Sequence, residues 1–234
     1  MKNSYKLFSF VLVMSLLFLS PSLKAQTEIS FGANVGYGGL NMTDFNDATK
    51  KGYEEITNQF SNYSVSQEDV GGGVYFDGHV LFTFNKSITT GLSVNYISGS
   101  GGLEGTAGGT DYTVKLDVST IEILGVLGTK IPFGSSTALA LKGYAGVGLP
   151  SFDLNAGGNN GSAGDAYFSG RLQGGVEFDL NSVILNAFVG YRIANAGAQE
   201  FEINGQKGKF EVNGEEKKLD LSGLLLGVGI DIKF

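Results

Sequence analysis

A chain of 234 residues with no cysteine and a formal net charge of −7 can hold no disulfide, no thiolate metal site and no lipid anchor on a cysteine. Its acidity makes it a poor nucleic-acid binder, because phosphate neutralisation needs clustered Lys and Arg.

The first element is residues 1–25. Lys2 and Lys6 precede an apolar stretch from Leu7 to Leu19, and Leu23-Lys24-Ala25 ends the segment. A charged start, a short hydrophobic core and a small residue at the cut read as a secretory signal peptide cleaved near Ala25. The stretch is too short, and wrongly flanked, for a membrane-spanning helix. Cleavage would remove three lysines and no acid. Residues 26–234 then carry 13 Lys and Arg against 23 Asp and Glu, a net charge of −10. They suffice for one β domain.

Eight segments of period-two alternation follow, the pattern of a strand with one apolar face. The first presents Ile29, Phe31, Ala33, Val35 and Tyr37 on that face. The second sets Val74, Phe76, Val80, Phe82 and Phe84 against Tyr75, Asp77, His79 and Thr83. In the third, Leu92, Val94 and Tyr96 oppose Gly91, Ser93 and Asn95. The fourth opposes Tyr112, Val114, Leu116 and Val118 to Thr113, Lys115 and Asp117. Its phase blurs between Ser119 and Ile123, where a bulge is expected to exchange the faces. The fifth, sixth and seventh are centred on Ala145, Leu172 and Ala187, and the eighth runs to Phe234.

The connections fall into two classes. Asn85-Lys86-Ser87, Gly134-Ser135-Ser136 and Asn181-Ser182 are tight turns, whereas residues 38–73, 98–111, 150–165 and 194–219 are long and polar. Within 47–63, Tyr53, Ile56 and Phe60 stand at helical spacing, which allows a short helix over the mouth, but Gly52 weakens it and a disordered loop is the plainer reading. The Gly-rich stretches 99–109 and 155–164 read as flexible tips. Phe201-Glu-Ile-Asn-Gly205 recurs as Phe210-Glu-Val-Asn-Gly214, and Asn-Gly is a hairpin signal. The expectation is that strands seven and eight continue outward as a ribbon, with one Asn-Gly pair a bulge or wide loop.

A secreted barrel or β-sandwich would alternate too. Lipid is favoured by two rings of aromatics. Tyr37, Phe76, Tyr96, Tyr112, Phe168 and Tyr191 lie at the loop-side strand ends, and Phe84, Phe178 and Phe234 at the turn side. The opposite face, rich in Gly, Ala, Asn and Ser, is also too sparsely charged to face water. Barrel strands need only ~9–11 residues each to span a bilayer.

An eight-stranded barrel has an interior that side chains fill. This phasing places Asp77, His79, Lys115, Asp117, Glu122, Lys142, Arg171, Glu177, Arg192, Asp231 and Lys233 inside. The two-residue turn at Asn181-Ser182 sets Arg171 opposite Arg192, with Glu122 or Asp117 as the acids to balance them. One reading of this lumen is a salt-bridged plug that stiffens the barrel. The other is a charged constriction of a narrow, anion-favouring pore. The three-residue turn at Asn85 sets His79 opposite Ser93, with Asp77 along the same face. Those are the parts of an acyl-transfer site, but no oxyanion hole is visible. A histidine hydrogen-bonded inside a polar lumen is the expectation, with no catalytic, metal or cofactor-binding residue assigned.

The eighth segment alternates Leu224, Leu226, Val228, Ile230, Ile232 and Phe234 with Leu225, Gly227, Gly229, Asp231 and Lys233. Gly229, Ile232 and the terminal Phe234 match the last-strand pattern of outer-membrane β-barrels, while Gly227 departs from its usual polar first position. Across residues 26–234 the chain resembles the small OmpA/OmpX-like class. The resemblance implies an all-β, eight-stranded antiparallel up-and-down transmembrane β-barrel in the bacterial outer membrane, with turns periplasmic and loops outside. It also implies recognition of the last strand by the barrel-assembly machinery, contact with outer-membrane lipid, and a monomer; no appended peptidoglycan-binding domain is expected, because the eighth segment uses the chain to its last residue. Its functional implication is a structural or surface-interaction role, with an extracellular protein or surface ligand at the loops and no enzyme activity. A narrow porin-like diffusion channel is the alternative and a lipid-modifying enzyme the third.

Overall fold

The computed structural model describes residues 27–203, 206–209, 211–212, 215–216 and 218–234. The signal-peptide expectation for 1–25 lies outside them. The elements are β1 (Thr27–Gly39), α1 (Thr43–Gln59), β2 (Tyr63–Glu68), β3 (Gly72–Phe84), β4 (Ile88–Ala107), β5 (Thr110–Pro132), β6 (Thr137–Ala156), β7 (Asn159–Ala163) and β8 (Tyr167–Asp179). They continue with β9 (Val183–Gly197), β10 (Glu200–Ile203), β11 (Gln206–Lys209), β12 (Glu211–Val212), β13 (Glu215–Glu216), β14 (Leu219–Asp220) and β15 (Gly223–Lys233).

Eight of these strands close a ring. β1, β3, β4, β5, β6, β8, β9 and β15 pair in that order, each antiparallel to the next, and β15 returns to β1. Closure leaves no strand edge in the ring, which an apolar solvent requires. The turn lengths fix the register. Phe84 pairs Ile88 around three residues, with Asn85 and Lys86 at positive φ, and the reversal at Asn181-Ser182 is closed by Leu180 N donating to Val183 O at 2.8 Å.

Within the ring the apolar face points outward. Phe31, Val35, Leu92, Ile123, Leu172, Val189 and Val228 are all about half exposed or more. Phe31 and the terminal Phe234 meet edge to face with centroids 5.5 Å apart, at the turn end of the seam between β1 and β15. Tyr37, Phe76, Tyr96, Phe168 and Tyr191 stand exposed at the loop side. Tyr112 does not join them. It sits on the protruding part of β5, half-buried against Phe60.

Four sequence expectations change here. β5 has no bulge: its register to β4 and to β6 is continuous from end to end. The polarity of the strand inverts instead. Below Thr120 toward the turn end, odd positions Ile121 and Ile123 face out and Glu122 faces in; above it Leu116 and Val118 are buried while Lys115 and Asp117 face solvent. Lys115 and Asp117 are therefore outside the lumen, 3.4 Å apart on the exterior.

The Gly-rich tips are hairpins. Gly108-Gly109 and Gly157-Gly158 supply the left-handed pairs, at φ of 57°, 81°, 58° and 83°, that close two-residue turns. β4, β5 and β6 thus continue well beyond the closed ring, β2 adds to β4, and β7, β10 and β11 add in turn to β6. The result is a seven-stranded sheet beyond the loop end of the ring.

The helix forms, but spans Thr43–Gln59, starting four residues earlier than expected. Phe45 is buried in the core at the mouth, and Ile56 packs on Leu103 and Ala107 of β4.

The expected ribbon is replaced by two small hairpins, β10 with β11 and β12 with β13, so the chain reverses twice. The Asn-Gly residues themselves lie outside the described residues. β10 adds to β7 rather than continuing a β9–β15 ribbon, whose outer pairing is confined to β14 on β9.

Candidate functional site

The lumen is built by the inward positions of the eight ring strands, and its charges stand in three tiers. Nearest the turns, Glu177 on β8 lies between two ammonium groups, 2.8 Å from Lys130 Nζ and 2.9 Å from Lys142 Nζ. Below this tier a vestibule of about 460 Å³ opens at the turn end, lined by Glu28, Lys130, Asp179 and Lys233 among others. Lys233 bonds both Asp179 oxygens at 2.7 Å, so it belongs to the mouth and not to the closed interior.

The middle tier centres on His79. Its Nδ1 is 2.5 Å from Asp77 Oδ1 and its Nε2 is 2.6 Å from Asp231 Oδ1. Gly32 on β1 makes room for this clasp, since a β-carbon there would collide with both His79 and Asp231. Asp77 also accepts from Asn34 Nδ2 at 2.9 Å, from the Ser93 hydroxyl, and from Arg171 at 3.3 Å. The Arg171 guanidinium stacks 3.6 Å from the Tyr144 ring centroid and donates to the Tyr75 hydroxyl.

In the upper tier Glu122 accepts from Tyr167 Oη at 2.9 Å and Ser169 Oγ at 2.7 Å, and lies 3.5 Å from Arg192. Arg192 also donates to the Leu221 carbonyl. Arg171 and Arg192 do pair across β8 and β9, as the two-residue turn requires. Their heads diverge, one to Asp77 and the other to Glu122. Asp117, on the exterior, takes no part. Buried charges persist only when paired and hydrogen-bonded, and each of these arginines has its own acid.

Above Arg192 the lumen turns apolar. Leu40, Met42 and Phe45 from the segment after β1 meet Val70, Leu116, Val118, Phe152, Phe201, Leu219, Leu221 and Leu225 in one core cluster. This cluster fills the loop end of the barrel.

His79 does lie opposite Ser93. The pair is nevertheless unsuited to acyl transfer. Ser93 Oγ is bonded to Asp77, not to His79, and both imidazole nitrogens are already held by carboxylates. Ser93 is also fully buried, which leaves a lipid ester no route to its hydroxyl.

Lys130, Tyr75, Tyr144, Asn95 and Tyr167 complete the lumen and are absent from the sequence-derived charge network. Lys130 shares the inward phase of Glu122, eight residues along β5, and continuing that phase would have found it. Of the last-strand residues, Gly229 gives the Asn34 amide its space, while Ile232 and Phe234 face outward.

No family model matches the chain, and no curated protein matches it. Solved structures do. A major outer membrane protein from Thermus thermophilus aligns with 89% of this chain and 99% of its own at 13% identity and a TM-score of 0.54. Neisserial surface protein A aligns with 89% of this chain and 96% of its own, at 10% identity and a TM-score of 0.45. Ail, the attachment invasion locus protein of Yersinia pestis, gives 89% and 99%, 12% identity and a TM-score of 0.44. Identities this low speak to fold alone, and the Thermus protein carries that likeness. The chain has the closed eight-stranded antiparallel fold of outer-membrane β-barrels.

Proposed function

We propose that this protein is an integral outer-membrane barrel that acts at the cell surface through its extracellular part, with a lumen that braces the barrel rather than conducting. The observation that carries this reading is the apolar core at the loop end, where Met42, Phe45, Leu116 and Phe152 pack above the charge tiers. An ion entering from the turn-side vestibule would have to cross that core without water. A structured sheet and helix outside the bilayer, together with a filled lumen, support a role carried by the exterior of the chain.

The last strand supplies its insertion signal to the assembly machinery through Gly229, Ile232 and Phe234. Turns then face the periplasm and loops the outside, the arrangement of bacterial barrels of this size. Removal of residues 1–25 at export completes the mature chain.

Planar-bilayer recording of the refolded mature protein tests this directly. The expected result is a silent membrane, with folding verified by a mobility difference between boiled and unboiled samples. Loosening the core with Phe45→Ala and Met42→Ala should produce openings if the core is the seal. Reproducible conductance steps from the wild type that disappear on neutralising Arg171 would instead establish the channel.

A further inference from the structure

The charges of the chain are segregated. Six acids and six bases belong to the ring strands and their turns: Glu28, Asp77, Glu122, Glu177, Asp179 and Asp231 against Lys86, Lys130, Lys142, Arg171, Arg192 and Lys233. The four loop-side segments, 40–73, 98–119, 151–166 and 195–222, hold the remaining 17 acids and only seven bases of the mature chain. The barrel is thus neutral, and the whole of the mature charge of −10 stands outside it.

The extracellular sheet gives that charge a face. Its inner side is apolar and covered: Leu103 and Ala107 by α1, and Leu116, Val118, Phe152 and Phe201 by the core at the mouth. Its outer side is polar and covered by nothing among the described residues. On that side Asp117 of β5 is set directly opposite Asp153 of β6, Asp153 opposite Ser162 of β7, and Ser162 opposite Glu202 of β10. Like charges directly opposite each other in a ladder are destabilising. Two bases stand beside this row. Lys115 is 3.4 Å from Asp117, and Lys207, opposite Glu202 on β11, lies 3.7 Å from Glu200. Lys115, Asp117, Asp153, Ser162 and Glu202 line a shallow depression of about 540 Å³.

We propose that the outer face of this sheet docks a cationic polypeptide segment of a partner protein, with Asp117, Asp153 and Glu202 as its acidic contacts. The proposal rests on the surface-interaction reading above and names its partner's chemistry. Charge complementarity selects a basic partner and disfavours a polyanion. Geometry selects a chain over a single ion. Neighbouring strands are ~4.8 Å apart, so Glu202, two strands from Asp153, stands about 10 Å away. A bound Ca²⁺ needs its oxygens at ~2.3–2.6 Å, whereas a row of Lys or Arg side chains on an extended segment can meet carboxylates spread across strands.

The probe is a fluorescent peptide of alternating Lys and Thr, titrated into refolded mature protein in zwitterionic-lipid nanodiscs and read by anisotropy. Three exposed partial ion pairs should together be worth about ten-fold in Kd. The triple variant Asp117→Asn, Asp153→Asn, Glu202→Gln is expected to weaken binding by that factor. The control triple Asp47→Asn, Glu54→Gln, Glu55→Gln removes the same charge from α1 and should change it less than about three-fold. Equal loss in both variants would overturn the proposal by reducing the effect to net charge. Protection of the site by calcium alone at submillimolar concentration would overturn it in favour of an ion. No peptide binding to a folded, non-conducting barrel would overturn it while leaving the surface role standing. Failure of that role would appear separately, as wild-type conductance.

Discussion

The two halves of β5 are one uninterrupted strand in two solvents. In the half nearer the turns, Ile121, Ile123 and Leu127 face out at 47%, 54% and 65% exposure, while Glu122 is 1% exposed inside. In the protruding half the pattern reverses, with Leu116 fully buried and Asp117 outside. Nothing changes in the backbone between them, since the partners in β4 and β6 continue in step. Lipid favours an apolar exterior and leaves the interior for polar groups, whereas water favours the opposite arrangement. A strand that crosses the boundary must therefore exchange its faces in sequence without exchanging them in space.

Substitutions on either side of Thr120 should therefore differ in cost. The largest effect is expected inside the membrane half. Glu122→Ala would leave Arg192 buried without its acid and should destabilise the barrel by ~3–5 kcal/mol, read from urea unfolding in micelles. Phe45→Ala, which hollows the core under the helix, should cost a similar ~3–5 kcal/mol. Ile123→Lys places a charge on the lipid face near mid-span and should cost about 2–4 kcal/mol. The exposed face of the outer half already accommodates Lys115, so Ser119→Lys there should cost far less. Gly157→Ala, at φ of 58°, forces a β-carbon into a left-handed turn at about 1–2 kcal/mol and should loosen only the β6–β7 hairpin. Lys115→Ala should be the mildest, below ~1 kcal/mol, because its pair with Asp117 is solvated. Comparable costs for Glu122→Ala and Lys115→Ala would contradict the division into two regions.

The same boundary explains what can be read from the sequence. The eight membrane segments are legible because each alternates against a uniform apolar exterior, and turn lengths alone set His79 opposite Ser93 and Arg171 opposite Arg192. The outer sheet is not. At Ser119 to Ile123 an inversion of polarity and a shift of register leave the same mark in a sequence, and only pairing partners distinguish them. That ambiguity moves Lys115 and Asp117 into the lumen. In the tips, glycine content suggests flexibility, yet Gly108-Gly109 and Gly157-Gly158 are the residues that let the backbone make two-residue reversals without strain. In the helix, Tyr53 and Ile56 mark its second half, while Phe45 in its first half lies before the stretch that shows helical spacing and is buried in the core at the mouth.

The absence of cysteine allows a direct test of the inversion. Single cysteines at Asp117, Ser119, Ile121 and Ile123 would each carry a nitroxide label, in the refolded protein in nanodiscs. Collision rates with oxygen and with a water-soluble nickel chelate report lipid and water respectively. The account predicts oxygen-accessible labels at 121 and 123 and nickel-accessible labels at 117 and 119, all on one face of one strand. Lumen-like protection from both reagents at 117, with lipid exposure at Leu116 and Val118, would contradict it.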